Sequence, residues 1–99
     1  MTVVTIHRDD CLVTAEGHSG YAPAGRDIVC AGVSTLLQTF AERLMSHGFL
    51  EEDAQLEDGF LAVKGIPVEP VRWWLDFVAA GLQMIEEEFP DNLSVVLIQ

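Results

Sequence analysis

The stretch that decides the fold is residues 17–34, Gly-His-Ser-Gly-Tyr-Ala-Pro-Ala-Gly-Arg-Asp-Ile-Val-Cys-Ala-Gly-Val-Ser. Its first half is punctuated by glycines and a proline, a composition typical of a loop. From Asp27 onward, apolar residues recur at three- and four-residue spacing, which predicts a helix. The residues just before the stretch resemble a strand. The sequence therefore predicts a strand, a loop and a helix in succession, with His18 ending the strand and Cys30 in the first helical turn.

Cys30 and His18 are the residue types that thiol chemistry requires. Asp27 is a good N-cap residue, which places Cys30 at the third helical position. A helix N-terminus favours a thiolate there, and an imidazole carried back by the loop can accept the proton. Cys30 is therefore a candidate nucleophile and His18 a candidate general base. Without further evidence, a Cys and a His at this spacing are more often packing residues than catalytic ones.

The predicted helix begins at Asp27 and runs to about His47, where Gly48 is suited to follow a helix end. Its apolar residues share one face that would be buried in the core. The residues of this face are Val29, Val33, Leu36, Leu37, Phe40 and Leu44.

A second stripe of the same helix carries Asp27, Cys30 and Ser34. Two interpretations stay open for each of its polar members. Ser34 either hydrogen-bonds the catalytic groups or bonds back to the carbonyl of Cys30. Asp27 either orients His18 or serves only as the helix cap.

Two strands are predicted before the loop, Thr2–His7 and Cys11–His18, paired through a turn at residues 8–10. Cys11 begins the second strand and lacks both a helix start and glycine-rich surroundings. We therefore interpret Cys11 as a structural thiol rather than a second nucleophile.

The C-terminal half predicts a hairpin, a helix and a last strand. Residues 54–57 and 60–64 flank Asp58-Gly59, which predicts a type I′ turn. The second helix is expected to begin at Pro70, and residues 93–98 form the final strand. The buried face of this helix is predicted to consist of Val71, Trp74, Leu75, Val78, Leu82 and Ile85.

The resulting element order is ββ-α-ββ-α-β within a single domain, residues 1–99. Two amphipathic helices and five strands predict an α/β (α+β) two-layer sandwich, with both helices on one face of a mixed, mainly antiparallel sheet. Trp73 and Phe77 lie beside the buried face of the second helix. Packing at the edge of the core and contact with a second subunit are the two explanations for them.

Composition restricts the classes of partner. Sixteen acidic residues against five basic ones argue against nucleic acid and anionic membranes, whose phosphates require Lys and Arg. The same imbalance suits a basic partner, although plain solubility explains it equally well. No apolar run reaches the roughly eighteen residues of a membrane span, and the N-terminus does not resemble a signal peptide. With only two cysteines, the expected location is the cytoplasm.

Residues 17–22 and 27–34 together resemble the signature of the ribosomal-processing cysteine protease family, Prp. The Gly-His pair, the loop, the Asp and the Cys occur in the family's order and spacing. The resemblance implies a cysteine endopeptidase that removes the N-terminal extension of a large-subunit ribosomal protein, acts as a homodimer and needs no cofactor.

The resemblance also implies roles for individual residues. Cys30 and His18 would be catalytic, and the loop of residues 19–26 would border the active site and move when substrate binds. The residues expected to support catalysis are Asp27, Ser34 and Gly17, and those expected to form the substrate loop are Ser19, Gly20, Tyr21 and Gly25. For Tyr21, contact with substrate and cover for the core edge are equally open.

Two other functional classes remain. A metal site is disfavoured because the cysteines and histidines show neither CxxC nor HxxxH spacing. A non-catalytic acidic module that binds a basic ribosomal-protein tail is the stronger alternative. Thiol reactivity separates this module from a cysteine protease, since only a catalytic Cys30 should react faster than Cys11 at neutral pH.

Overall fold

Five strands and two helices follow one another in the predicted order in a computed structural model, which describes residues 1–23 and 25–99. Ala24, inside the predicted substrate loop, lies outside the described residues. The elements are β1 Thr2–His7, β2 Leu12–Glu16, α1 Ile28–His47, β3 Gln55–Glu57, β4 Phe60–Lys64, α2 Glu69–Glu88 and β5 Leu93–Ile98.

The strands form one sheet in the order β3-β4-β2-β1-β5. All neighbouring pairs are antiparallel except β1 and β5, which run parallel with Thr2 opposite Leu93. The long crossover through α1, the hairpin and α2 lets β5 return beside β1 in the same direction. The mixed, mainly antiparallel sheet is therefore confirmed.

One face of the sheet and one face of each helix form the core. Period-two alternation buries Val4 and Ile6 of β1 and Val13 of β2 against the helices. The predicted core face of α1 is confirmed, except that Leu36 is only half-buried and packs against Gly81 of α2. On α2 the fully buried residues are Val71, Leu75, Val78, Ala79 and Leu82, while Trp74 and Ile85 are partly buried.

The start and end of α1 lie where the sequence predicts them. The side chain of Asp27 accepts a hydrogen bond from the Cys30 amide, and Gly48 follows the helix with a left-handed φ of 73°. The Gly48 amide donates to the carbonyls of Leu44 and Met45, which satisfies the last turn. No helix in the part of the chain that the structure describes has the length and apolarity of a membrane span.

Two predictions about β2 are wrong. The strand begins at Leu12 and ends at Glu16, rather than spanning Cys11–His18. Cys11 lies in the preceding turn with a φ of 51°, and Gly17 leaves the strand with a φ of 88°. Left-handed backbone cannot continue a pleated strand, so each of these residues ends the pairing. Cys11 is fully buried, as a structural thiol should be.

The predicted type I′ turn is also wrong. That turn needs positive φ at both central residues. Cys11 is the one non-glycine residue with positive φ in residues 1–23 and 25–99, so Asp58 does not have it, whereas Gly59 has a φ of 75°. Packing at the edge of the core is likewise wrong for Trp73 and Phe77, whose side chains remain 63% and 82% exposed.

The register of β2 with β4 places the N-terminal end of the loop beside the hairpin turn. Glu16 pairs with Phe60, and the Gly17 amide donates to the Gly59 carbonyl over 2.8 Å. His18 therefore emerges next to Asp58-Gly59.

Candidate active site

Cys30 and His18 line the same two cavities. One cavity, of about 230 Å³, lies toward β3 and β4 and is largely apolar, with Val33, Leu56 and Phe60 in its wall. The other, of about 650 Å³, is bounded by residues of the loop. Both residues predicted to be catalytic thus border the same two cavities, although no hydrogen bond joins their side chains in the described part of the chain.

Cys30 is exposed in the first turn of α1. Its amide donates to Asp27 Oδ1 over 2.9 Å, and the Ala31 amide donates to the Asp27 carbonyl over 3.0 Å. These bonds fix the backbone around the thiol at the positive end of the helix dipole, where a thiolate is stabilised.

Asp27 connects the loop to the helix. Its Oδ2 accepts from the hydroxyl of Ser19 and from the amides of Tyr21 and Ala22 at 3.2 and 3.4 Å. Burial raises the pKa of Asp27, but the hydrogen bonds from Ser19, Cys30 and the two loop amides outweigh it and hold the pKa below its ordinary value. The carboxylate meets the loop and the helix start rather than His18.

The loop is anchored from its other side by the turn before β5. Ser19 is buried, and its carbonyl accepts from Asn92 Nδ2 over 3.0 Å. The Tyr21 ring packs edge-on against Phe89, with ring centroids 5.2 Å apart. Tyr21 therefore covers an edge of the core. Gly20 and Gly25 have φ of 71° and 86°, which lets the loop turn without strain.

His18 lies on the hairpin turn, with its side chain 68% exposed. Its Nε2 is 3.8 Å from Asp58 Oδ1. A Cβ built on Gly59 would lie 3.1 Å from the same nitrogen, so a side chain at this position would crowd the ring.

Gly17 fits the site only as glycine. Its φ is positive, and an added Cβ would lie 2.5 Å from the carbonyl oxygen of Met1. Ser34 lines both cavities, and its hydroxyl accepts from the Gln38 amide rather than engaging either partner anticipated for it.

The sequence did not single out Asp58, Gly59 or Asn92 as site residues. Asp58-Gly59 gave a turn signal, but its proximity to His18 depends on the long-range pairing of β2 with β4. Asn92 gave only a turn signal. No group of three or more His, Cys, Asp or Glu side chains in residues 1–23 and 25–99 has an arrangement suited to a metal ion.

The Asp27 contacts lead to a prediction about stability. We expect Asp27→Ala to lower the free energy of unfolding by about 1–2 kcal/mol, because the cap and the loop bonds are lost together. Since the folded-state pKa is depressed, the carboxylate's contribution is present at neutral pH and lost as the pH falls through that value. Urea unfolding of the wild type and Asp27→Ala, measured from neutral to acidic pH, tests this prediction. Asp27→Asn is the matched control because it keeps a cap acceptor. If the difference in unfolding free energy between wild type and Asp27→Ala did not shrink in acid, the Asp27 carboxylate would not be the source of the stabilisation.

Comparison with known proteins decides the family. The family model of cysteine protease Prp matches residues 1–94. The chain belongs to the Prp cysteine protease family. A search of curated proteins gives no match.

Solved structures agree with the family. The essential ribosomal processing protease Prp from Staphylococcus aureus, in complex with a covalently linked product peptide, is 26% identical with a TM-score of 0.85 over 98% of this chain and 99% of that one. The same protease with a substrate peptide is 25% identical with a TM-score of 0.77, at the same coverage. A Streptococcus mutans protein shares the fold at 21% identity and a TM-score of 0.72, covering 98% and 91%. The resemblance of residues 17–34 to Prp is confirmed, and the chain is a cysteine protease.

Proposed function

We propose that this Prp protease removes the N-terminal extension of a large-subunit ribosomal protein, with Cys30 as nucleophile and His18 as general base. The observation that carries the proposal is that His18 and Cys30 both line the two cavities at the start of α1. The Staphylococcus aureus relative, a ribosomal processing protease seen with substrate and product peptides, supports the substrate class.

The geometry supports a two-step acyl transfer. His18 takes the proton of Cys30, and the thiolate attacks the scissile carbonyl. The tetrahedral intermediate collapses to a thioester as the protonated His18 gives its proton to the leaving amine. Water, deprotonated by His18, then attacks the thioester and releases the acid and the free thiol.

The donors for the oxyanion are constrained by the helix cap. The amides of Cys30 and Ala31 already donate to Asp27. A helix leaves its first amides without partners inside the helix. We therefore place the oxyanion near the amide of Ile28, which precedes Cys30 in the first turn and lines the cavity beside the loop.

The proposed enzyme is a single-domain cytoplasmic homodimer. Residues 1–99 act as one protease domain, and the net charge of −11 suits a basic substrate tail. Two free cysteines and a ribosomal substrate favour the cytoplasm. The exposed Trp73 and Phe77 supply apolar area for the homodimer. Gly20 and Gly25 lie on the loop that would close over the peptide, and no cofactor enters the reaction.

Cleavage of a defined peptide tests the proposal. A synthetic peptide spanning the N-terminal extension of the large-subunit ribosomal protein would be incubated with wild type and with Cys30→Ser, and the products identified by mass spectrometry. One cut by the wild type only is expected. An intact peptide that still binds both proteins would instead favour the acidic binding module.

Thiol reactivity gives a prediction that does not need the substrate. Iodoacetamide should label Cys30 and spare Cys11, because Cys11 is buried and burial raises the pKa of its thiol. Exposure alone would give the same contrast, so the decisive comparison is with His18→Gln, which should slow Cys30 labelling by about tenfold. Peptide mapping by mass spectrometry measures both rates. Equal Cys30 rates in the two proteins would show that His18 does not activate the thiol.

A further inference from the structure

We propose that the hairpin turn Asp58-Gly59 positions His18, with Gly59 as a steric support for the imidazole and Asp58 as the carboxylate that stabilises its protonated form. The inference rests on the proposed function, in which His18 is the general base. It supplies the orienting group that a Cys–His pair needs and that Asp27, engaged by the loop, does not provide.

The steric part follows from how closely the ring approaches Gly59. A Cβ at that position would lie 3.1, 3.6 and 3.7 Å from Nε2, Cε1 and Cδ2 of His18, so a side chain there would crowd the imidazole. The Gly17 amide, one residue before His18, donates to the Gly59 carbonyl over 2.8 Å. The backbone bond fixes the position of His18 relative to the turn, and a Gly59 without a side chain leaves space for its ring.

The electrostatic part follows from the position of Asp58. Its Oδ1 lies 3.8 Å from Nε2 of His18. A negative charge at this distance favours the imidazolium and hence the thiolate–imidazolium pair. Because both side chains are exposed, the effect is modest.

Other charged or titratable groups also face His18 across the two cavities. They are Cys30 from α1, Asp27 from its cap, Arg26 from the loop and Glu57 from β3. The positive charge of Arg26 counteracts the effect of the acidic groups on His18. Among the described residues, Asp58 has the carboxylate that lies within 4.0 Å of the imidazole ring. Substitution of Asp58 is therefore the sharpest way to remove a charge that acts on His18.

The steric arm compares two glycines with nearly the same backbone. Gly59 and Gly48 have φ of 75° and 73°, but a Cβ on Gly48 meets nothing within 4 Å. Alanine at either position carries the same backbone strain, and only at Gly59 does it displace His18. We expect Gly59→Ala to lower kcat about ten- to a hundredfold with KM little changed, and Gly48→Ala to keep wild-type kinetics. Equal kcat values in the two variants would overturn the steric role.

The electrostatic arm uses Asp58→Asn, with Asp53→Asn as the control of equal charge. Asp53 is exposed and lines neither cavity. In Asp58→Asn the rate of Cys30 alkylation at neutral pH should fall by roughly two- to threefold, because the thiolate–imidazolium pair loses a stabilising charge, whereas Asp53→Asn should keep the wild-type rate. Equal rates in all three proteins would overturn the role of Asp58.

The two arms also separate this inference from the proposed function. Alkylation reports on Cys30 and His18 without any peptide, so Gly59→Ala is measured by this readout as well. Should the variant fold poorly, Asp58→Asn, at a 97% exposed side chain, still tests the role of the same turn through its charge. A chain that cleaves no ribosomal peptide but shows both alkylation effects would lose its proposed substrate and keep the positioning turn.

Discussion

Replacing Cys30 by alanine is expected to abolish peptide cleavage and to leave the fold unchanged. The thiol is the nucleophile in the proposed reaction, and its loss should lower kcat by at least about 10⁴-fold. The side chain is exposed, and the bond from its amide to Asp27 does not involve the sulfur. Alanine is also the best helix former. Cleavage kinetics and thermal unfolding of the same preparation measure both parts.

The control for this variant is Cys11→Ala. Cys11 is buried in the turn before β2 and lies outside both cavities. We expect it to lose stability by about 1 kcal/mol through a small cavity and to keep its activity. Cleavage at the wild-type rate by Cys30→Ala would mean that another group attacks the peptide.

The second large effect is expected for His18→Gln. Glutamine fills similar space but cannot exchange protons near neutral pH, so kcat should fall about 10²- to 10⁴-fold while KM changes little. Stability should be nearly unaffected, because the side chain is 68% exposed. Steady-state kinetics on the mapped peptide provide the measurement.

His47→Gln is the matched control for this substitution. His47 is exposed at the end of α1, where it contacts Arg43 and Trp74 away from the cavities. The same chemical change there should leave kcat at the wild-type value. An equal loss in both variants, or no loss in His18→Gln, would remove His18 from the mechanism.

Local signals made most of the fold predictable. Asp27 and Gly48 mark the ends of α1 because capping is decided by the residue type at one position. The element order follows from periodicity in the same way. The turn at Asp58-Gly59 was identified, but its type was not, because one residue pair is compatible with several turns. The start of β2 was also missed, since nothing local predicts a left-handed Cys11.

The site was only partly predictable because its support is non-local. That Cys30 and His18 line the same cavities follows from a single strand–loop–helix unit. The contact of His18 with Gly59 requires Glu16 to pair with Phe60, and no local pattern fixes that register. The hydrogen bonds from the loop to Asp27 likewise depend on how the loop turns back toward the helix. The sequence therefore predicts the capping role of Asp27 but not the bond that Asp27 accepts from Ser19.

Covalent labelling with a substrate-derived probe tests the central claim most directly. The N-terminal product of the mapped cleavage would be prepared as a chloromethyl ketone, incubated with the wild type and with His18→Gln, and the modified residue located by mass spectrometry. We expect one adduct, on Cys30, formed at least about tenfold faster in the wild type. An adduct on Cys11, or a wild type that cleaves the peptide but leaves Cys30 unmodified, would contradict Cys30 as the nucleophile.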